Sequence, residues 1–435
     1  MIVKLIAIGK MAYTAERRQV TERSNYMHNR ENRMLMIQIQ ESKGKGIRQR
    51  GRSCQARLLY FFSHKRSLGS YIGLCALLTL ACVGRGTSQV QTQKASEQWP
   101  TIAWSEAKPE AVGMDSAALK EAEYVYPRLF PSGYSLLIIK NGQLVSESYF
   151  NGQTAETPNH IYSVTKTFVA TLLGIAVKQG WIDGVDQRVA ELLPEYTVHP
   201  KLAALTLEDV LTHRSGVRGS KSLVDLLKEE PKSPPGTVFE YSNIAPSLIT
   251  AILDRLAKEG VAGDASDASS LAQEYLFGPL GISVSEWNKG SNGVPEGGNG
   301  LFMTTRDMAR LGYLLLRDGH WEDEQILPLD WVKEASKYRV EFDRQKGYGY
   351  LNWVRRQSDI VKTAQGDVDV QGYFAYGHRG QFIGVYPALD LLVVTTADAT
   401  DATRDTYFVP DLLHDFVRRF VFSAVKQSNN PPGRK

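Results

Sequence analysis

The chain is predicted to be an α/β protein, with a central antiparallel sheet flanked by helices and a mostly helical second lobe. Three observations carry this. A β-hairpin pattern lies near residues 134–149, two strand patterns run over residues 373–396, and the stretch between them from about Ile161 to Arg317 is mostly helical in pattern. Strands at both ends with helices between them imply one antiparallel sheet, built from both sequence ends and carrying a helical insertion.

The elements follow in order. Met114–Tyr126 reads as a helix with Asp115 or Ser116 near its start. Tyr134–Lys140 and Gln143–Tyr149 flank Asn141-Gly142, a pair that supplies the positive φ values of a tight hairpin turn. Ile244–Leu256 is an apolar helix, and Pro/Gly loops interrupt the helical region. Tyr373–Tyr386 and Leu391–Thr396 are two strands joined by Pro387–Asp390, and Asp411–Phe422 is a closing helix. There is no internal repeat.

With 435 residues, 43% hydrophobic and 23% charged, the composition is that of a globular protein with one large domain or two lobes. Disorder, collagen, coiled coil and a multi-span membrane protein are excluded for the chain as a whole. The net charge of +4 averages two unlike parts. Residues 1–96 carry 17 Lys+Arg against 4 Asp+Glu, and the remainder carries 34 against 43. The main domain is therefore acidic, and no nucleic-acid partner is expected. All three cysteines (Cys54, Cys75, Cys82) lie in the basic part, which rules out a disulfide framework or a cysteine nucleophile in the main domain. The eight histidines show no ligand spacing and His-Glu-x-x-His is absent, so no metal and no cofactor are expected.

Lys65-Arg66 precede Ser67–Gly84, an uncharged run around Leu74, Leu77, Leu78 and Leu80, followed by the polar stretch Thr87–Glu97. This is the pattern of a signal peptide, and the run is just long enough for a membrane anchor. Ala81-Cys82 resembles a bacterial lipoprotein cleavage site with Cys82 as lipid acceptor. The expectation is export, to the periplasm or to an anchor on the outer side of the inner membrane. Residues 1–66 form a basic N-terminal extension, either disordered or preceding the true start. Residues 85–99 are a linker, 100–425 the main domain and 426–435 a polar tail.

The chemistry centres on Ser163-Val-Thr-Lys166. Ser-x-x-Lys occurs four times, at Ser42, Ser105, Ser163 and Ser423, but only Ser163 opens a helix with no charge in the eleven residues after its lysine. Such a helix is buried, and it puts Lys166 one turn beyond Ser163 on the same face. A buried lysine has its charged form disfavoured, so it can take the serine proton and activate the hydroxyl. The bland alternative makes Ser163 a helix cap and sends Lys166 outward. Tyr241-Ser242-Asn243 precedes the Ile244 helix. There Tyr241 is either a packing residue or a phenol bonded to Ser163 and Lys166 that passes a proton to the leaving group. Asn243 is either a cap or a holder of Lys166 and the substrate amide. Gly377-His378-Arg379-Gly380-Gln381 lies inside the penultimate strand, where a glycine lets a substrate backbone lie along the edge. The Gln381 and Ser163 N–H groups are candidates for an oxyanion hole.

Ser-x-x-Lys, Tyr-x-Asn 78 residues on and a late His-x-Gly together resemble the serine β-lactamase-like superfamily. The resemblance covers about residues 100–425 and points to the branch of class C β-lactamases, DD-peptidases and related esterases; Gly377–Ile383 looks most like the nylon-oligomer hydrolases. Pro109–Asp115, Leu205–Gly216 and Gly300–Gly312 support it. It implies a β-lactamase/transpeptidase-like fold with the site between sheet and helical lobe, Ser163 as acyl-enzyme nucleophile, Lys166 and Tyr241 as acid/base partners, and Gln381 as oxyanion donor. Where many β-lactamases carry Lys-Thr-Gly this chain has His378-Arg379-Gly380, leaving His378 or Arg379 to bind a carboxylate. The first reading is an exported serine hydrolase acting on a small-molecule ester or amide. The alternatives are a β-lactamase or DD-peptidase, a penicillin-binding sensor without turnover, and a catalytically dead interaction domain.

Overall fold

In the computed structural model, residues 99–217, 222–398 and 409–425 are described. The basic extension 1–66, the apolar segment 67–84 with Cys82, the linker up to residue 98 and the polar tail 426–435 lie outside the described residues. Among the described residues no helix is long and apolar enough to cross a membrane.

Helix α1 (Ser116–Leu129) starts where expected, because the Asp115 carboxylate accepts from the Ala117 and Ala118 N–H groups at 2.8 and 3.0 Å. Strands β1 (Gly133–Lys140) and β2 (Gln143–Tyr149) pair through the expected two-residue turn, with Asn141 and Gly142 at φ 52° and 76°. The middle of the chain supplies α2 (Thr165–Lys178), α3 (Ser247–Lys258) and α4 (Thr305–Leu316). Then come β3 (Val340–Glu341), β4 (Lys346–Tyr348), β5 (Trp353–Arg355), β6 (Tyr373–Gly377), β7 (Gln381–Tyr386), β8 (Leu391–Ala397) and α5 (Val409–Phe416).

These strands form one eight-stranded antiparallel sheet in the order β2-β1-β8-β7-β6-β5-β4-β3. It is the sheet built from both sequence ends. Side chains alternate across it. Leu137, Ile139, Ile383 and Val394 share a core with Phe168 and Leu172 of α2, Ile249 of α3 and Leu311 of α4. Leu136, Ile138, Phe382 and Val393 pack with Tyr126 of α1 and Phe416 of α5. Burying each such side chain contributes about 1.5–3 kcal/mol, so both layers of helices are held to the sheet by the same strands.

Four expectations change. Tyr373–Tyr386 is not one strand but the hairpin β6–β7, which turns at His378–Gly380; the His-x-Gly motif is therefore in the turn and not inside a strand. The turn is possible because Arg379 and Gly380 both take positive φ, 69° and 106°. The helix expected at Ile244 begins at Ser247, because the Ser242 hydroxyl accepts from the Ile244 and Ala245 N–H groups and holds Asn243–Pro246 in a separate turn. The closing helix is regular only to Phe416 and continues as a wider π-helical turn, Val417–Val421. The helical middle also contains a three-stranded sheet of Asn159–His160, Leu301–Met303 and Val284–Trp287.

Candidate active site

Ser163 sits in a single 3-10 turn, Tyr162–Val164, that runs directly into α2. The small sheet holds the approach to it: Asn159 and His160 pair with Met303 and Phe302, and the Ile161 N–H donates to Leu301 O at 2.9 Å. Tyr162 is at φ 46°, a left-handed conformation costing a non-glycine residue roughly 1–3 kcal/mol. Ring packing offsets this. The His160 ring lies 3.9 Å from that of Tyr162 and stacks on Phe302 at 4.4 Å.

Helix α2 is buried from Thr165 to Ala176, and Lys166 is only 1% exposed. Its Nζ lies 3.0 Å from Ser163 Oγ, 3.0 Å from Asn243 Oδ1 and 2.6 Å from the carbonyl oxygen of Gly298. None of these partners is a carboxylate. Burial therefore lowers the Lys166 pKa from its ordinary value to about 7. A neutral amine has two N–H donors and one lone pair. With the donors spent on Asn243 Oδ1 and Gly298 O, the lone pair faces the Ser163 hydroxyl. The outward-pointing lysine of the bland reading is not what this geometry holds.

Tyr241 is on the other side of the amine, with Lys166 Nζ 4.7 Å from its ring centroid. Burial pushes its phenol up to about 12, and a side-chain hydrogen bond with Ser163 offsets part of that rise. The two partners of Ser163 thus differ in kind: an amine that is free of its proton above about pH 7, and a phenol that keeps its own. Ser242 acts as a cap, as the bland account of this segment held, while Asn243 turns its side chain to Lys166.

His213 holds Tyr241 from behind. Its backbone carbonyl accepts from Glu240 N–H at 2.7 Å and its Nδ1 from Ser242 N–H at 3.3 Å, so one residue grips both neighbours of Tyr241. The imidazole is fully buried, 4.5 Å from the Tyr241 ring, and burial holds it well below its ordinary pKa with the nearby Lys166 adding to the effect. With Nδ1 accepting, the proton of the neutral ring is on Nε2.

The β6–β7 turn closes the site. Gly377 approaches so near that a Cβ there would lie 2.4 Å from Ile161 O, two residues before Ser163. The turn is fixed from β8: the Thr395 hydroxyl donates to Gly380 O at 3.0 Å, and the buried Gln381 side chain donates to Ala397 O. His378 is exposed and meets the Tyr162 ring edge-on at 5.4 Å. The Arg379 guanidinium donates to Asp398 at 2.5 Å, so it is already paired with a carboxylate of this chain.

The structure therefore brings Ser163, Lys166, Tyr241 and Asn243 into direct contact and sets the His378–Gln381 turn against the same segment. Two further contributors escape a reading of side-chain motifs. His213 sits within Leu205–Gly216 but acts on a backbone. Gly298 contributes only a carbonyl, and a Cβ there would lie 1.8 Å from Asn243 O; the run Gly297-Gly298-Asn299-Gly300 was its one signal. Among the described residues no group of three His, Cys, Asp or Glu side chains is arranged to hold a metal ion.

One prediction follows from the burial of Lys166 alone. Nuclear magnetic resonance of the chain with ε-labelled lysine should show a lysine signal titrating near pH 7 that is absent in Lys166→Met. A Lys166 signal unchanged up to pH 9 would contradict the environment described.

Comparison with known proteins agrees with the fold. The Beta-lactamase family model matches residues 130–414. An uncharacterized protein of Alkalihalophilus pseudofirmus is 26% identical over 307 residues, 65% of this chain and 88% of the relative. Two solved structures share the fold. A Bacillus anthracis protein assigned as a 6-aminohexanoate-dimer hydrolase has a TM-score of 0.55 and 19% identity, covering 70% of this chain and 82% of its own. EstCE1, described as a hydrolase with promiscuous acyltransferase activity, has a TM-score of 0.53 and 16% identity, covering 69% and 98%. With the family matched over most of the chain, and with the sheet and helical layers it requires, this protein belongs to the beta-lactamase family of serine hydrolases.

Proposed function

We propose that the protein cleaves an ester or amide of a small molecule through an acyl-enzyme on Ser163. The observation that carries this reading is the buried amine of Lys166, 3.0 Å from Ser163 Oγ and without a carboxylate partner. In the proposed reaction Lys166 Nζ takes the hydroxyl proton as Oγ bonds to the substrate carbonyl carbon. The carbonyl oxygen becomes an oxyanion held by the N–H groups of Ser163 and Gln381. The bond to the leaving group then breaks as the Tyr241 phenol supplies it with a proton, and Lys166 returns a proton to the phenol. Water attacks the ester of Ser163 by the same route in reverse, releasing the acid. His213 positions Tyr241, and Asn243 orients Lys166 and the substrate amide. His378 and Arg379 are assigned to the substrate side of the turn. Arg379 grips a substrate carboxylate only by giving up Asp398, which favours neutral esters and amides over β-lactams or peptides with a free carboxylate. We propose as well that the chain is exported on residues 67–84, with Cys82 as the site of lipid attachment; this rests on the sequence pattern alone.

Three measurements test the reading. The rate of ester hydrolysis is expected to rise with pH through about 7, because below that Lys166 holds a proton and has no lone pair, and to show no alkaline fall before the phenol titrates near 12. Lys166→Arg should be as inactive as Lys166→Ala, since a guanidinium stays protonated; a flat pH profile or an active Lys166→Arg would contradict it. Replacing His213 by Leu removes the acceptor for Ser242 N–H and should lower kcat by roughly ten- to a hundredfold. His213→Asn, which keeps an acceptor near Nδ1 and tolerates the φ of 53° at this position, should recover most of it. If both variants lose activity equally, or neither does, His213 does not act through Tyr241. Finally, intact-mass spectrometry after a fluorophosphonate should show one adduct, lost in Ser163→Ala, while short p-nitrophenyl esters turn over faster than nitrocefin. A stable penicillin adduct without release would favour the sensor, and rapid nitrocefin turnover a β-lactamase. On material from a bacterial host, the same spectrum reports whether the chain begins beyond residue 66 and carries lipid.

A further inference from the structure

One flank of the site is made of rings. Tyr241 stacks on Trp353, with centroids 5.9 Å apart and planes at 21°. Trp353 meets Phe342 edge-on at 5.1 Å and Tyr348 edge-on at 4.9 Å, and reaches the Tyr376 ring at 6.2 Å. Trp353 comes from β5 and Tyr376 from β6, two residues before His378, so the rings run from the phenol to the foot of the β6–β7 turn. Tyr348 and Tyr376 are buried, but Trp353 is half-buried and Phe342 is 43% exposed. The surface these rings present is carbon, and the amines beside it are engaged: Lys346, 5.7 Å from the Phe342 ring, is tied to Asp411 at 2.8 Å, and Lys166, 4.7 Å from the Tyr241 ring, is the buried amine of the site. Beyond the foot of that turn the surface changes to His378 and the Arg379–Asp398 pair. The ring series and the turn therefore offer different chemistry.

We infer that Trp353 and Phe342 form the leaving-group subsite and that the substrate is an ester or amide whose alcohol or amine portion carries an apolar ring. The inference rests on the acyl-transfer reading above. There Tyr241 delivers a proton to the leaving group, so the group that departs must lie against the phenol, and the surface continuing outward from the phenol is Trp353. A planar apolar group laid on Trp353 and against Phe342 covers carbon that is otherwise wet and gains ring–ring contact. A charged or strongly polar leaving group finds no partner there.

The test compares substrates of matched reactivity. Benzyl acetate and ethyl acetate share an acyl group and have similar alcohols, so their kcat/KM ratio isolates recognition of the leaving group. Wild type is expected to prefer benzyl acetate by roughly tenfold or more, within the range one apolar pocket delivers. Trp353→Ala should reduce that ratio severalfold, mostly through KM. Any disturbance of Tyr241 slows both esters and cancels in the ratio. Phe342→Ser, at a surface position that does not threaten folding, should shift the ratio the same way by less. Methyl phenylacetate against methyl acetate, with the ring on the acyl side, should give a ratio that neither substitution moves. Three results overturn the assignment: no benzyl preference in wild type, a ratio unmoved in both variants, or a change confined to the acyl-side pair. Failure of the acyl-transfer reading looks different, since no ester would then be cleaved in a manner dependent on Ser163, and the inference would fall with it.

Discussion

The interaction on which the site depends is the enclosure of one amine. Lys166 is surrounded by oxygens that carry no net charge: a hydroxyl, an amide oxygen and a main-chain carbonyl. A carboxylate in any of those places would have favoured the ammonium and kept its lone pair occupied by a proton. Removing water without supplying a counter-charge is what lets a lysine lose its proton near neutral pH, and α2 achieves it by being buried from its first residue. Shedding the proton limits the cost of burying this group, but a pKa lowered from 10.5 to about 7 still gives up on the order of 4 kcal/mol of stability at neutral pH.

Three parts of the fold hold the groups around that enclosure. The three-stranded sheet fixes the approach to Ser163 and the exit from Gly298 together, since Leu301–Met303 follows the glycine and pairs with Asn159–His160. His213 fixes the Tyr241–Asn243 segment through its main chain, which leaves the two side chains free for Ser163 and Lys166. The β6–β7 turn is anchored from β8 through Thr395 and Gln381, so its position relative to Ser163 is tied to the centre of the large sheet. Strand β8 is buried along its whole length, and such an element has little freedom to drift.

How much of this was legible depends on whether the signal resided in side chains. Asn141-Gly142 announces its turn because both residues accept positive φ, and the β1–β2 hairpin is where it was read. The β6–β7 turn was hidden because Arg379, a residue that seldom adopts φ 69°, occupies the left-handed position and leaves Gly380 as the lone cue. Strands β3–β5 are two or three residues long, below the length at which alternation can be recognised. Ser163, Lys166, Tyr241 and Asn243 stand out as candidates because their chemistry is in their side chains and their order along the chain is specific, and the structure brings them together. Gly298 and His213 were not assigned, one acting through a carbonyl and the other mainly by holding main-chain groups of residues 240 and 242.

The placement of β8 has a consequence for synthesis. It lies in the interior of the sheet between β1 and β7, yet it comes near the end of the chain, and the partner it completes is made some 250 residues earlier (391 − 140 = 251). Until that late segment emerges, β1 exposes an open hydrogen-bonding edge, and the turn that faces Ser163 has no anchor. Assembly of this domain is therefore a closing event, governed by long-range pairing and not by progressive growth from the N-terminus. A chain held unfolded until it is complete would avoid presenting that edge to its neighbours.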